Sequence, residues 1–220
     1  MSIALSIGNN LTTGGVFTAS AVNNTSVTNV TDFASVPGGG VLKLLSTQTA
    51  SASASISFTS GIDSTYDSYV FKFINIHAST DNSTAQEFKF NMSTDGGSNY
   101  NVTKTTTAFR SGHNESDTTT QLDYVGAYDL AQGTGFQTLT EGDGIDNDQA
   151  NCGELWLYNP SSTTFVKHYM SKFNVCRHND FTANWFTAGY GNTTSAVNAI
   201  QFKFLGGNID SGIIKMYGVV

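Results

Sequence analysis

Ala199-Ile200-Gln201-Phe202-Lys203-Phe204-Leu205 alternates apolar and polar residues, Gly206-Gly207-Asn208-Ile209-Asp210-Ser211-Gly212 interrupts the alternation, and Ile213-Ile214-Lys215-Met216-Tyr217-Gly218-Val219-Val220 follows. Side chains alternate between faces along a strand, so period two means one buried and one wet face, and the Gly/Asn/Asp/Ser run is turn chemistry. The stretch therefore reads as a closing β-hairpin. Its last strand is expected to end inside a packed sheet, with Ile214 and Met216 on one face and Ile213 and Tyr217 on the other.

The same pattern extends upstream. Val41 to Thr47 and Ser53 to Thr59 read as a first strand pair. Tyr69-Val70-Phe71-Lys72-Phe73-Ile74-Asn75-Ile76 is apolar at both parities, the mark of a central strand covered on both faces. Phe88, Phe90 and Met92 alternate with Glu87, Lys89 and Asn91. Further strands are expected at Tyr100 to Phe109, Leu122 to Tyr128, Phe136 to Leu139, Gly153 to Tyr158, Thr164 to Phe173 and Trp185 to Tyr190. No long window carries a 3.6-residue period, and a short turn near Ser195 to Ala199 is the most helix expected. About ten to twelve short strands between turns predict an all-β fold: an antiparallel, jelly-roll-like β-sandwich over residues 41–220.

Residues 1–40 differ. Asn9 to Gly15 and Asn23 to Thr31 are polar and low in complexity, and Pro37-Gly38-Gly39-Gly40 reads as a hinge. Val16, Phe17, Val27, Val30 and Phe33 are isolated apolar anchors without a core face of their own. Such a segment cannot bury enough apolar surface to offset its backbone entropy, so it is expected to act as an extended arm for attachment or oligomerisation.

Charged residues make up only 12% of the 220, about half the usual share. Ser, Thr and Asn take their place, which suits strands and turns. A net charge of −7 argues against nucleic acid, which needs a basic face. Lys72, Lys89, Lys167, Lys172, Lys203 and Lys215 fall at polar-facing strand positions, where they keep edges and surfaces soluble. No run approaches the length of a membrane span, and Met1 to Gly8 lacks the basic start of a secretory signal. Synthesis in a cytosol favours two reduced, buried thiols at Cys152 and Cys176.

Few side chains are spaced for chemistry. Glu141-Gly142-Asp143-Gly144-Ile145-Asp146-Asn147-Asp148 gathers carboxylates on flexible backbone, so Asp143, Asp146 and Asp148 are candidate Ca²⁺ ligands. The spacing is not that of an EF-hand, and a solvated loop is the simpler reading. His77, His113, His168 and His178 sit on different elements without metal-binding spacing. There is no G-x-S-x-G nucleophile turn, and paired carboxylates for glycoside cleavage would meet only in the fold. A non-enzymatic protein without a required cofactor is expected. Tyr124, Tyr128, Trp156, Trp185 and Tyr190 are candidates for stacking on sugar rings, Tyr128 and Tyr190 foremost. Trp156, flanked by Leu155 and Leu157, is expected in the core.

Several stretches together resemble a known group. Ser57 to Asp67 leads into Tyr69 to Ile76; Ser93-Thr94-Asp95-Gly96-Gly97-Ser98-Asn99-Tyr100, Asn159-Pro160-Ser161-Ser162 and the closing Ile200 to Gly218 follow in order. Over residues 45–220 this order resembles virion proteins of tailed bacteriophages, especially those of marine bacteria, of tail-fibre-like or capsid-decoration type. The resemblance implies a β-sandwich displayed on the virion, made in the bacterial cytoplasm and often trimeric, and it brings no catalytic residues. Its implied partners are further copies of the chain and other virion proteins. A carbohydrate-binding module that recognises a host surface glycan is the alternative.

Overall fold

A computed structural model of the chain describes residues 41–79, 86–144 and 146–220. Residues 1–40, expected to form an arm, with Val16, Phe17, Val27, Val30 and Phe33, lie outside the described residues. Among those described, thirteen strands form: β1 (Leu42–Ser53), β2 (Ile56–Phe58), β3 (Ser68–Ala78), β4 (Glu87–Ser93), β5 (Lys104–Asn114), β6 (Thr120–Tyr124), β7 (Ala131–Gly133), β8 (Gln137–Glu141), β9 (Asn151–Tyr158), β10 (Lys167–Arg177), β11 (Phe181–Gly191), β12 (Ala199–Phe204) and β13 (Ile209–Val219). One 3-10 turn, Gly126–Tyr128, separates β6 from β7.

The strands form two antiparallel sheets. The wide sheet runs β1-β13-β3-β9-β10-β11-β5-β6, with β7 also paired to β5, and the narrow sheet runs β2-β12-β4-β8. Within this, β1-β13-β3-β9 faces β2-β12-β4-β8 in the strand order of a jelly roll. The order is that of a long hairpin rolled on itself: β1 pairs β13, β2 pairs β12, β3 pairs β9 and β4 pairs β8. Two insertions widen one sheet only, β5 to β7 between β4 and β8, and β10 with β11 between β9 and β12.

This order corrects two local readings. The closing segment is not a hairpin. β12 belongs to the narrow sheet and β13 to the wide one, so Leu205 to Asn208 arches across the core, with Gly207 at φ +70°. The first two strands likewise lie in opposite sheets. The physical reason is the same in both places. A hairpin would leave both apolar faces on one side of a single sheet, whereas an arch turns Phe202 and Phe204 toward Ile214 and Met216. All four side chains are buried in one core.

Phenylalanine rings dominate the layer between the sheets. Phe202 of the narrow sheet lies 4.9 Å from Phe73 and 5.4 Å from Phe71 of the wide one, and Phe58, Phe88 and Phe90 surround it. Phe73 and Phe173 both oppose Gly153, and their rings approach to 4.9 Å. A Cβ on Gly153 would come within 2.5 Å of Phe173 and of the Lys172 carbonyl, so this contact requires glycine. Each such ring, fully buried, contributes roughly 1.5–3 kcal/mol. β3 is central as expected, with Tyr69, Phe71 and Phe73 facing the core. Val70 is buried on the opposite face, between Tyr217 and Trp156, while Ile74 is exposed, so the outer cover is partial.

Candidate functional site

The insertions lie outside the eight-strand roll; β10 and β11 turn Tyr169, Phe173 and Trp185 into the core, and the other face of the inserted strands extends the outer surface of the wide sheet. Strand register fixes the outer-face side chains of the wide sheet in rows. Leu44, Tyr217, Val70, Trp156, Met170, Ala188 and Thr107 form one row across β1, β13, β3, β9, β10, β11 and β5. The adjacent row runs Lys215, Lys72, Glu154, Lys172, Phe186, Phe109 and Tyr124. Its first half is charged, with an ion pair between Lys72 and Glu154. Its second half, on inserted strands, is aromatic. Phe109 and Phe186 stack at 4.8 Å and 7°, and the Lys172 ammonium lies 5.5 Å from the Phe186 ring centre. Leu122 is 78% exposed, Tyr124 67%, Met170 55% and Phe109 43%. Apolar side chains grouped in this way on a folded protein mark contact surfaces.

Ala188 forms a low point in this face. Its methyl lies between Met170 and Thr107, and a groove of about 550 Å³ opens over it, walled by Tyr158, His168 and Tyr190, with Thr105 and Thr107 supplying hydroxyls. The Tyr190 ring stands 6.1 Å from His168 at 59°. A smaller hollow of about 200 Å³ lies on the other side of Met170, against Phe109 and Phe186. Aromatic walls with neutral donors and acceptors suit a ligand that offers both an apolar face and hydroxyl groups.

The outer face of the narrow sheet is built differently. Ser57, Gln201 and Asn91 share one row, and Gln201 Nε2 donates to Ser57 Oγ at 2.9 Å. Lys203, Lys89 and Thr138 share the next. Lys89 pairs with Glu87 at 2.9 Å, Thr138 Oγ1 donates to Glu87 at 2.7 Å, and Lys203 sits 4.3 Å over the Phe136 ring. None of the exposed large apolar side chains among the described residues lies on its strands.

The structure separates the residues singled out in the sequence. Tyr190 lines the outer groove. Tyr128 instead packs between the sheets, 5.7 Å from buried Trp185, and its amide oxygen accepts from Gln137. Burial, with Glu141 and Glu87 nearby, pushes the Tyr128 phenol up to about 12. Beside it, Glu141 accepts from both Arg110 and Arg177, and Arg110 lies 5.2 Å over Trp185. Trp156 is not a core residue: Leu155 and Leu157 face inward, so the residue between them faces outward, where it stacks on Tyr158 at 6.4 Å. Tyr124 is exposed and its hydroxyl bonds Asp129.

The acidic loop divides in the same way. Asp143 is buried, accepting from Thr140 Oγ1 at 2.9 Å and from Asn151 Nδ2, and burial pushes its carboxyl up to about 6. Asp146 and Asp148 are exposed. Asp148 instead borders a polar hollow of about 370 Å³ with His77, Asp210 and Asn75. Among the described residues no three His, Cys, Asp or Glu side chains gather in a metal-binding group. Asn75 was not legible as a feature. It sits at φ 50° where the register of β3 slips against both neighbours, and the bulge shapes this hollow.

Two smaller readings also change. The cysteines are free, but Cys152 is exposed, bonded to Asn75, because the period of β9 turns it outward. Lys167 is fully buried rather than polar-facing; its ammonium donates to the carbonyls of Phe165 at 2.6 Å and Thr193 at 3.2 Å. No known protein family, curated protein or solved structure matches this chain.

Proposed function

We propose that the chain is a non-enzymatic virion structural protein of a tailed bacteriophage, a tail-fibre-like or capsid-decoration module that assembles with further copies of itself and with other virion proteins. The observation that supports this best is the pairing of a jelly-roll core with inserted strands that spread exposed aromatic side chains over one face. Jelly rolls serve viral capsids and lectins repeatedly, though a fold alone does not assign a role. The order of strand and turn motifs that resembles phage virion proteins points the same way. Interface cores are depleted in charge and enriched in aromatic residues and Met, the composition of the Met170, Phe186, Phe109 and Tyr124 region. Immunogold labelling of particles from a lysate that contains this chain tests the proposal. Gold at a fixed place on capsid or tail is expected; particles free of the chain would overturn it.

A second reading rests on the groove over Ala188. Tyr158, Tyr190 and the Thr105 and Thr107 hydroxyls would hold a pyranose ring of a host surface glycan by stacking and hydrogen bonds. A glycan array is expected to show binding that Tyr190→Ala abolishes; no binding by the intact chain would remove this reading and leave the first untouched.

A further inference from the structure

Lysine is almost never fully buried without a charged partner. This chain buries two. Lys104 and Lys167 both oppose Gly191 in the wide sheet, and both side chains are fully enclosed. Neither forms an ion pair among the described residues. Lys167 meets only carbonyl oxygens, as described above. Lys104 meets something more reactive. Its Nζ contacts Asn91 Oδ1 at 2.5 Å and the Val102 carbonyl at 2.7 Å.

Asn91, at the centre of β4, is itself fully buried and held on every side. Its Nδ2 donates to the carbonyls of Tyr100 at 2.6 Å and Thr134 at 3.0 Å, and its Oδ1 accepts the Met92 N–H at 2.9 Å. An amine and a carboxamide are thus fixed against each other away from bulk water. Positioning of this kind replaces the entropy cost of bringing two reactants together.

We propose that Lys104 and Asn91 join in an intramolecular isopeptide bond. The Nζ lone pair attacks Asn91 Cγ, a C–N bond forms, and charge moves onto Oδ1, where the Met92 N–H already donates. A proton passes from Nζ to Nδ2, the Cγ–Nδ2 bond breaks, and ammonia leaves. The product is a secondary amide between β4 and β5, and nothing is oxidised or reduced. Burial pushes the Lys104 amine down to about 7, so the free amine is present near neutral pH. No carboxylate is hydrogen-bonded to either side chain among the described residues to relay the proton, so the reaction follows folding slowly and quickens as pH rises. The bond would tie the core strand β4 to the first inserted strand, closing the Ser93 to Thr103 connection.

Intact mass and a tryptic map of the full-length chain test this after incubation at neutral and at alkaline pH. Trypsin cuts after Lys89 and Arg110. The expected product is the peptide of residues 90–110, uncut at Lys104 and lighter than its sequence by one ammonia, with more of it at the higher pH. Asn91→Asp is expected to lose one water instead, and Lys104→Met to lose nothing. A succinimide would remove the same ammonia but leave Lys104 open to trypsin. Full sequence mass after prolonged alkaline incubation of folded protein, or ammonia loss that leaves Lys104 cleavable, overturns the proposal. The wild-type map decides the question even where a variant does not fold.

Discussion

The two outer faces of this sandwich are made from the same strand grammar and end up with opposite character. On the narrow sheet, Ser57, Gln201, Lys89 and Lys203 satisfy one another or neighbouring groups, and no large apolar side chain stands open. On the wide sheet, Leu122, Tyr124, Met170 and Phe109 face outward. The jelly-roll half of the wide sheet carries Lys215, Lys72 and Glu154, the row continues into Lys172 on inserted β10, and the aromatic surface lies on the inserted strands. The exposed aromatic side chains on the strands therefore follow the insertions, although Leu44 and Ile74 also stand open on β1 and β3 and the inserted β10 and β11 send Phe173 and Trp185 into the core.

The largest effect belongs to the part both faces share. Deleting residues 211–220 removes most of β13, which lies between β1 and β3, and takes Ile214 and Met216 from the core. Losses of several kcal/mol rival the whole stability of a domain, roughly 5–15 kcal/mol. The truncated chain is expected in the insoluble fraction; a soluble chain that melts cooperatively would show that β13 is dispensable.

Next in size is a matched pair of truncations. Phe202→Ala, at the centre of the ring cluster, should cost about 3–5 kcal/mol. Phe109→Ala, on the open face, should cost under about 1 kcal/mol. Urea melts of both variants measure the contrast, and equal costs would mean that the outer aromatics are structural.

Asp143 supplies a pH-dependent term of similar order. Its folded carboxyl titrates near 6, above the ordinary 3.8, so the fold holds this proton more tightly than the unfolded chain does. The contribution is therefore fully present below about pH 4 and is lost as pH rises through about 6, a change on the order of 3 kcal/mol. Asp143→Asn should flatten stability across that window. A variant whose stability keeps the wild-type pH profile would assign the dependence to other groups. The smallest effect is at the groove, where Tyr190→Ala should shift stability by no more than about 0.5 kcal/mol in the same melts. A larger loss would make Tyr190 a packing residue.

Much of the strand content was legible in the sequence, because alternation such as Phe88, Phe90 and Met92 against Lys89 and Asn91 has one physical solution. Pairing was not. Gly206 to Asn208 serves a hairpin and an arch equally well, and the choice depends on β13 finding β1 and β3, which lie far away in sequence. The aromatic surface was hidden for a related reason. Phe109, Phe186 and Tyr124 lie on three strands and become neighbours only through register. Leu155-Trp156-Leu157 is the opposite case, since period two alone turns Trp156 outward once the leucines face in. Asp143 could not be told from Asp146 and Asp148 by composition, because its burial rests on Thr140 and Asn151, which belong to β8 and β9.

The proposed self-assembly places the wide sheet's outer face, and not the narrow one's, between copies of this chain. Multi-angle light scattering on the full-length chain at micromolar concentration tests it directly, beside Phe109→Glu/Tyr124→Glu on the wide face and Gln201→Glu on the narrow face. The account predicts a homo-oligomer, a trimer, for the wild type and for Gln201→Glu, and monomers for the wide-face variant. A monomeric wild type, or an oligomer that survives the wide-face charges and dissociates with Gln201→Glu, would contradict it.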